Sequence, residues 1–206
     1  KAILKMPEVS ERFRTAHGRE WNQNDVAIMY QSFEKHLFAS LQDFTTPVPG
    51  VIETMEQLRR EGIRIGSTTG YTDAMMKIVQ PGAAAQGYTV DCLVIPDHLP
   101  AGRPAPYMIY RNMTELAIPS VDEVVKVGDT IADIREGLNA KVCSVGVITG
   151  SNELGLTEEE YKTMPEPELY TLKQEVRERM MAAGAHYVLD NIRELPDLIH
   201  NLMNKK

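Results

Sequence analysis

The chain has 206 residues, of which 43% are hydrophobic and 25% are charged, and its formal net charge is −7. Its short basic runs are mixed with acids, which excludes a nucleic-acid surface, because binding phosphates needs clustered Lys and Arg. No apolar run approaches the roughly 20 residues that span a bilayer, and the start KAILKMPEV lacks the apolar centre of a signal peptide. Cys92 and Cys143 each lie inside an apolar run, which predicts reduced, buried thiols. The sequence therefore predicts a cytoplasmic protein with no nucleic-acid or membrane partner.

The N-terminal part of the chain, up to about Gln42, has helical periodicity and no strand signal. In VAIMYQSFEKHLFASL the apolar residues recur at steps of three and four. They are Val26, Met29, Tyr30, Phe33, Leu37 and Leu41. The stretch TTPVPGV contains two prolines and a glycine, which predicts a connector. We therefore expect a helical unit over residues 1–44 and a second domain over residues 45–206.

After this connector, strand and helix patterns alternate. The helix VIETMEQLRR is predicted to stop at Gly62, and the helix TDAMMKIVQ is capped by Thr72. Further helices are predicted after GRPAP and in IADIREGLNA. Strands are predicted in IRIGSTT, VDCLVI, EVVKVG, KVCSVGVI and HYVLD. This alternation predicts parallel strands with right-handed crossovers, which is a doubly wound α/β sheet.

Polar residues follow three of the predicted strands. Thr69 follows the first, Arg103 lies in the loop after the second, and Asp129 follows the third. Ligands of doubly wound sheets bind beyond the carboxyl ends of the strands. A hydroxyl, a guanidinium and carboxylates together suit a phosphate oxyanion and the metal that neutralises it.

Plainer explanations exist for two of these residues. Thr69 has the chemistry of a turn residue, and Arg103 that of a surface residue. However, Arg103 precedes a helix whose first turn is predicted to hold Pro104 and Pro106, and a helix start is suited to binding anions.

Asp129 and Asp133 are four residues apart in GDTIAD, so we expect them to be neighbours on one face of a helix. Two like charges about 4 Å apart repel by roughly 4 kcal/mol at an effective dielectric near 20, and a helix N-terminus offsets only about 0.3–1 kcal/mol per charge. Either one carboxylate is protonated, or the side chains splay apart, or a cation such as Mg²⁺ lies between them. Alternatively, Asp129 is an N-cap and Asp133 a solvated helix residue.

Thr69 after one strand, Arg103 before a helix and GDTIAD after another strand resemble the later motifs of the haloacid dehalogenase superfamily. The runs IGSTTGYT, PAGRP, KVGDTIADIREG and GSNELGLTEEE are similar to its phosphonatase branch. The resemblance implies Mg²⁺-dependent hydrolysis of a small-molecule phosphonate, phosphonoacetaldehyde, to acetaldehyde and phosphate. It also implies that residues 1–44 are the remainder of a small helical cap domain and that residues 45–206 form a Rossmann-like core.

The resemblance assigns a role to each matching position. The phosphoryl group is bound by Thr69 and Arg103. Beside Thr69, Gly70 and Tyr71 are further candidates for the phosphate pocket, and core packing is an equal alternative for Tyr71. Asp129 binds Mg²⁺, and Asp133 holds the water shell of the metal or orients its ligands. Gly128 permits close approach of the backbone.

A lysine in the cap of this family forms a Schiff base with the aldehyde, so that the carbon of the P–C bond leaves as an enamine. Lys5 in ILKMPEV has the matching leucine–lysine–apolar context. Glu8 stands where the family has a histidine, and a nearby carboxylate favours the charged amine, which works against Schiff-base formation.

The nucleophilic aspartate of the family lies in a DxxGT-like stretch that does not occur among the 206 residues. We expect the natural protein to have an additional N-terminal segment, which an intact protein starting at Lys1 would contradict. We also expect a homodimer through the cap, because residues 24–41 carry more apolar side chains than one small cap needs. Two other functions stay open at this point: a phosphatase of phosphate monoesters in the same superfamily, and a non-catalytic phosphate-binding protein.

Overall fold

The computed structural model describes residues 3–204. The chain divides into two compact units, the first ending at Thr45 and the second beginning at Thr46. The outer ends of the two predicted domains, residues 1–2 and 205–206, lie outside the described residues. Within residues 3–204, no helix combines the length and the apolar character that a membrane crossing requires.

The first unit contains two helices, α1 (Pro7–His17) and α2 (Gln23–Ser40). Helix α1 ends at Gly18, whose φ of 67° is in the left-handed region that glycine adopts readily. Helix α2 begins with a capping box, in which the Asn22 side chain accepts from the N–H of Asp25 and the Asp25 carboxylate accepts from the N–H of Asn22. Hydrogen bonds from Arg19, and then from the Asn22 backbone, lower the pKa of Asp25 to about 2.

The apolar face predicted on α2 is only partly covered. Leu41, which follows the helix, is buried, whereas Met29, Tyr30 and Phe33 are exposed in this single chain. The neighbouring Ile28 is exposed as well. Helical periodicity was therefore a correct guide to the helix but not to burial of the whole face.

The second unit alternates helices and strands, as predicted. In chain order the elements are α3 (Val51–Arg60), β1 (Gly66–Thr68), α4 (Asp73–Ala84), β2 (Cys92–Val94), α5 (Tyr107–Glu115), β3 (Val125–Gly128), α6 (Ile131–Ala140), β4 (Cys143–Val147), α7 (Glu158–Thr163), α8 (Glu166–Ala182), β5 (Tyr187–Leu189) and α9 (Leu195–Met203). The predicted stop at Gly62 and the cap at Thr72 are confirmed, since Gly62 has a φ of 82° and the Thr72 hydroxyl accepts from the N–H of Met75.

All five of these strands run parallel within two sheets. Strand β1 pairs with β2, so that Gly66 lies opposite Cys92. Strand β4 lies between β3 and β5 and pairs with both. Within residues 3–204 no backbone ladder joins the two sheets. The fold is mixed α/β with parallel sheets and helices between the strands, which confirms the predicted fold class.

Helices cover both faces of the three-stranded sheet. Val145 packs in the cluster formed with α3 and α9, whereas its neighbour Ser144 donates to the Ile134 carbonyl on α6. Successive strand residues point to opposite faces, which explains this division. On the α6 and α8 side, Ile134 and Met180 are fully buried, and each contributes about 1.5–3 kcal/mol of hydrophobic stabilisation.

The start of α5 differs from the prediction. Pro104 and Pro106 precede this helix, with Pro106 as its N-cap residue, and the Arg103–Pro104 peptide bond is cis. The expectation that both prolines lie in the first helical turn was therefore wrong. The N–H of Ala105 donates to the carbonyl of Gly102 and closes a turn, so the helix begins only at Tyr107. Arg103 consequently lies in this turn, several residues before the helix N-terminus.

Candidate active site

The carboxyl ends of the strands in the second unit bring several of the predicted site residues together. Arg103, in the loop after β2, forms an ion pair with Asp133 on α6, with Nη1 of Arg103 2.8 Å from Oδ1 of Asp133. Arg103 also donates from Nη2 to the carbonyl and hydroxyl oxygens of Thr68, at the end of β1. The loop after β2 is thereby held against the ends of β1 and α6.

Lys126 and Glu136, which no sequence motif singled out, complete this arrangement. The Lys126 ammonium, on β3, lies 2.9 Å from Oδ1 of Asp133 and 2.8 Å from Oε2 of Glu136. It also donates to the Thr68 hydroxyl at 2.9 Å, and that hydroxyl donates to Oε2 of Glu136 at 3.0 Å. We call the five residues Thr68, Arg103, Lys126, Asp133 and Glu136 the buried charge cluster.

The cluster is electrically balanced and largely shielded from solvent. It holds two cations and two carboxylates, and the side chains of Glu136, Asp133, Lys126 and Arg103 are 0%, 3%, 10% and 21% exposed. Burial of ions is costly unless each charge is paired, which explains why both carboxylates contact both cations. Burial alone would raise the pKa of Asp133, but the charges of Lys126 and Arg103 outweigh it and lower that pKa below its ordinary value. Asp133 therefore stays ionised.

Two buried polar atoms of the cluster have no hydrogen-bond partner among residues 3–204: Nε of Arg103 and Oε1 of Glu136. Nε of Arg103 lies 3.4 Å from Oε2 of Glu136, which is an ion-pair distance without a hydrogen bond. An unmade hydrogen bond at a buried polar atom costs about 1–3 kcal/mol. Both atoms are buried, so neither is open to solvent or to a bound ligand in this arrangement.

Asp129 and Asp133 are not neighbours on a helix face, so that expectation was wrong. Helix α6 begins at Ile131, and its N-cap is Thr130, whose φ of −126° and ψ of 158° are extended. Asp129 therefore lies before the helix, in the loop after β3. The two carboxylates have different hydrogen-bond partners. The structure excludes the plain alternative, since Asp129 is not the cap and Asp133 is buried.

Local contacts position each aspartate. The Thr130 hydroxyl donates to Oδ2 of Asp133 at 2.6 Å, and the backbone N–H of Asn152 donates to Oδ2 of Asp129 at 3.0 Å. A Cβ on Gly128 would lie 2.2 Å from Cβ of Asp133, so only glycine lets the end of β3 approach this side chain so closely. The predicted role of Gly128 has this steric basis.

Asp129 and Asp133 are the predicted carboxylates of the Mg²⁺ site. Among residues 3–204 there is no group of three or more His, Cys, Asp or Glu side chains arranged to hold a metal. Mg²⁺, however, often takes only one or two carboxylates and keeps several waters. Asp129 fits this pattern, because within the described residues no hydrogen bond occupies its Oδ1. The oxygens of Asp133 are already engaged by Arg103, Lys126 and Thr130, which favours an orienting role for this residue over direct ligation.

Thr69, Gly70 and Tyr71 form the loop after β1. Oγ1 of Thr69 accepts from the N–H of Tyr71 at 3.1 Å, which is turn chemistry and leaves the hydroxyl proton of Thr69 free of this contact. Thr69 and Tyr71 line a cavity of about 390 Å³ with mostly apolar walls. A Cβ on Gly70 would meet nothing within 4 Å, so the space beside this loop is open.

Lys5 and the two cysteines are not members of the buried charge cluster. Lys5 ends a short 3₁₀ turn, Ile3–Lys5, in the first unit and is exposed. Its role as the Schiff-base residue stays a prediction. Cys92 and Cys143 are free thiols, and burial raises the pKa of both. A raised pKa disfavours the thiolate, which is the reactive form of a cysteine.

Comparisons with known proteins give the family. The model of the haloacid dehalogenase-like hydrolases matches residues 6–141. The chain is 68% identical over 205 residues to a phosphonoacetaldehyde hydrolase of Parabacteroides distasonis, covering 100% of this chain and 78% of that protein. It is 57% identical over 206 residues to a phosphonoacetaldehyde hydrolase of Bacteroides fragilis, again with 100% and 78% coverage.

A solved structure agrees with these relatives. The crystal structure of a phosphonoacetaldehyde hydrolase-like protein from Oleispira antarctica superimposes with a TM-score of 0.89 at 30% identity, covering 98% of this chain and 73% of that one. The chain belongs to the haloacid dehalogenase-like hydrolases and, within them, to the phosphonoacetaldehyde hydrolases. It is therefore an enzyme chain, as the sequence motifs predicted.

Proposed function

We propose that the protein hydrolyses the P–C bond of phosphonoacetaldehyde to give acetaldehyde and phosphate. The observation that carries this proposal is the 68% identity, over the whole chain, to the phosphonoacetaldehyde hydrolase of Parabacteroides distasonis. The buried charge cluster supports it chemically, because it holds the guanidinium of Arg103, a partly exposed side chain, beside the ends of the strands.

Arg103 is the proposed clamp for the phosphoryl group. A planar guanidinium can donate two parallel hydrogen bonds to phosphoryl oxygens, which a lysine ammonium cannot do. Thr69 is proposed to donate its hydroxyl to a phosphoryl oxygen, with Gly70 and Tyr71 bordering the same space. Asp133 contributes by holding Arg103 in position through their ion pair at 2.8 Å.

Asp129 is the proposed carboxylate ligand of Mg²⁺. When bound, the metal would neutralise negative charge on the phosphoryl oxygens. Asn152 supports this role, since its N–H fixes one oxygen of Asp129 and leaves the other available. Glu153, next in the chain, accepts from the N–H of Ile131 at 3.2 Å and so ties the same loop to the start of α6.

The first unit is proposed to be part of a helical cap and to supply the Schiff-base lysine, Lys5, whereas the second unit is the Rossmann-like core. A Schiff base is needed because an unactivated carbanion would be a very poor leaving group. The protonated imine accepts the electron pair of the P–C bond, while the phosphoryl group passes to the nucleophilic aspartate of the family, for which the 206 residues contain no match, and then to water. The amine must be neutral to attack the aldehyde. Lys5 is exposed, so this assignment requires that bound substrate or a moved cap shields it.

The test is to incubate the purified protein and Mg²⁺ with phosphonoacetaldehyde and to measure acetaldehyde and phosphate. We expect equal amounts of both products. We also expect borohydride in the presence of the aldehyde to attach a label that peptide mapping places on Lys5, and to lose that label in Lys5→Arg but not in Lys35→Arg on α2.

The outcomes separate the parts of the proposal. Phosphate release from phosphate monoesters, with no acetaldehyde from the phosphonate, would replace the proposed function by that of a phosphatase. Acetaldehyde release with a label on another lysine would keep the function and move the Schiff base. Binding of phosphate without any turnover would favour a non-catalytic protein.

A homodimer through the first unit is proposed as well. Four apolar side chains of α2 are 48–60% exposed: Ile28, Met29, Tyr30 and Phe33. A cluster of exposed apolar side chains commonly marks a protein interface. Light scattering at micromolar concentration should give twice the chain mass, and a monomeric mass would rule out this dimer. We further propose that the enzyme acts in the cytoplasm, where its two thiols stay reduced.

A further inference from the structure

We propose that Lys126 and Glu136 are positioning residues for phosphoryl binding: as a pair, they hold Arg103 and Asp133 in the orientation in which the Arg103 guanidinium binds the phosphoryl group. This inference rests on the proposed function in so far as Arg103 binds a phosphoryl group. It concerns two residues to which the sequence motifs assigned no role.

The first argument is the pattern of contacts around Arg103. Its Nη1 contacts Asp133 at 2.8 Å, and its Nη2 contacts Thr68. Glu136 lies beside the third edge of the guanidinium, 3.4 Å from Nε, without accepting a hydrogen bond from it. Glu136 thus attracts the buried Nε edge of the guanidinium by charge, while the two terminal nitrogens contact Asp133 and Thr68.

The second argument is the position of Lys126. Its ammonium contacts Oδ1 of Asp133, the same oxygen that pairs with Arg103, and Oε2 of Glu136. Lys126 therefore balances part of the negative charge of Asp133 and Glu136, so Arg103 does not have to balance all of it. Without Lys126, two buried carboxylates would compete for one guanidinium, and the favoured geometry would be a bidentate carboxylate pair. Such a pair would occupy the donors that a phosphoryl group needs.

The third argument is that the network joins two strands, β1 and β3, which no backbone ladder connects within residues 3–204. Thr68 belongs to β1 and Lys126 to β3, and these strands lie in different sheets. The hydroxyl of Thr68 contacts Lys126, Arg103 and Glu136. Thr69, the proposed phosphoryl donor, is the next residue along the chain. The spacing between Thr69 and Arg103 therefore depends on this network.

A structural role and a positioning role of Lys126 and Glu136 lead to different expected results for stability and for activity. Removing Lys126 or Glu136 alone leaves an unbalanced buried charge, so either single change is expected to lower the melting temperature. Removing both, in the double variant Lys126→Met/Glu136→Gln, restores the balance because Arg103 and Asp133 remain as a pair. Stability should then recover in part, whereas the alignment of Arg103 should not.

The experiment measures kcat, KM and inhibition by inorganic phosphate for Lys126→Met, Glu136→Gln and the double variant, together with their melting temperatures. Supporting groups around a site typically matter about 10- to 100-fold. We expect kcat/KM to fall by about this factor in all three variants, with weaker inhibition by phosphate. Glu136→Asp keeps the negative charge but withdraws the carboxylate. We expect its kcat/KM to fall about tenfold at a nearly unchanged melting temperature.

Lys173→Met is the matched control. Lys173 is also partly buried and lies 3.7 Å from a carboxylate oxygen of Asp190, outside the cluster. Its loss should change the melting temperature more than kcat/KM. The inference is overturned if the double variant regains both stability and kcat/KM, or if Glu136→Asp is as active as the parent.

The test can distinguish failure of this inference from failure of the proposed function. If the parent protein releases no acetaldehyde from phosphonoacetaldehyde, the proposed function fails. The inference is then decided by calorimetric binding of inorganic phosphate to the same set of variants. Equal phosphate affinity in the parent protein, Glu136→Asp and the double variant would refute it.

Discussion

Arg103→Lys should lower kcat/KM for phosphonoacetaldehyde by about 10²–10³-fold while the protein stays folded, because loss of one preorganised donor to developing charge typically has that effect. The lysine keeps the positive charge that Asp133 and Glu136 require. It lacks the planar fork, which here spreads contacts over Asp133, Glu136 and Thr68. Steady-state kinetics combined with thermal unfolding measures the effect.

The control for this change is Arg111→Lys on α5. Arg111 pairs with Glu115 on an exposed helix surface, so the same chemical change should leave both kinetics and stability near those of the parent. Arg103→Ala is a harsher version, and it should also lower the melting temperature because two buried carboxylates would share Lys126 alone. If Arg103→Lys keeps kcat/KM within about threefold of the parent, the clamp role is wrong, since a lost donor normally costs far more.

Asp129→Asn should weaken Mg²⁺ binding and lower Mg²⁺-supported turnover by about 10²–10³-fold. The reason is that a metal contributes several kcal/mol of charge stabilisation, and each 1.36 kcal/mol is tenfold in rate. The amide is nearly isosteric, and its oxygen can still accept from the N–H of Asn152, so the loop should keep its position. Calorimetric titration with Mg²⁺ in the absence of substrate gives a readout that does not depend on activity.

Asp197→Asn on α9 is the matched control, because Asp197 is exposed and lies in the first turn of a different helix. It removes the same charge without approaching the site. Unchanged Mg²⁺ affinity in Asp129→Asn would refute the assignment of Asp129. Loss of Mg²⁺ affinity in Asp133→Asn with full retention in Asp129→Asn would show that direct ligation falls to Asp133.

Several elements of the fold were predictable because local chemistry defines them. Helix α6 was predicted over the same residues that the structure gives, Ile131–Ala140, and the caps at Gly62 and Thr72 were predicted as well. A cap depends on the φ and ψ of one residue and on hydrogen bonds to near neighbours, so the local sequence contains the necessary information.

The site was only partly predictable. Arg103 and Asp133 were found through their resemblance to family motifs, but Lys126 and Glu136 were missed. A signal was present: Lys126 interrupts the apolar strand EVVKVG, and Glu136 follows Asp133 by three residues, which places both carboxylates on one face of a helix. Ionisable residues in buried segments are rarely unpaired, so these two positions pointed to each other.

The sequence by itself determined the order of helices and strands, the parallel arrangement and the family of this protein, because periodicity, caps and motifs are properties of neighbouring residues. Only the tertiary structure decided which charges are paired. Lys126 and Glu136 are ten residues apart in the chain, and Thr68 lies 58 residues before Lys126, yet their side chains meet within 3.0 Å. These contacts form because burying an unpaired charge costs free energy. The charges become buried only when distant segments of the chain pack together, so neighbouring residues in the sequence do not determine the pairing.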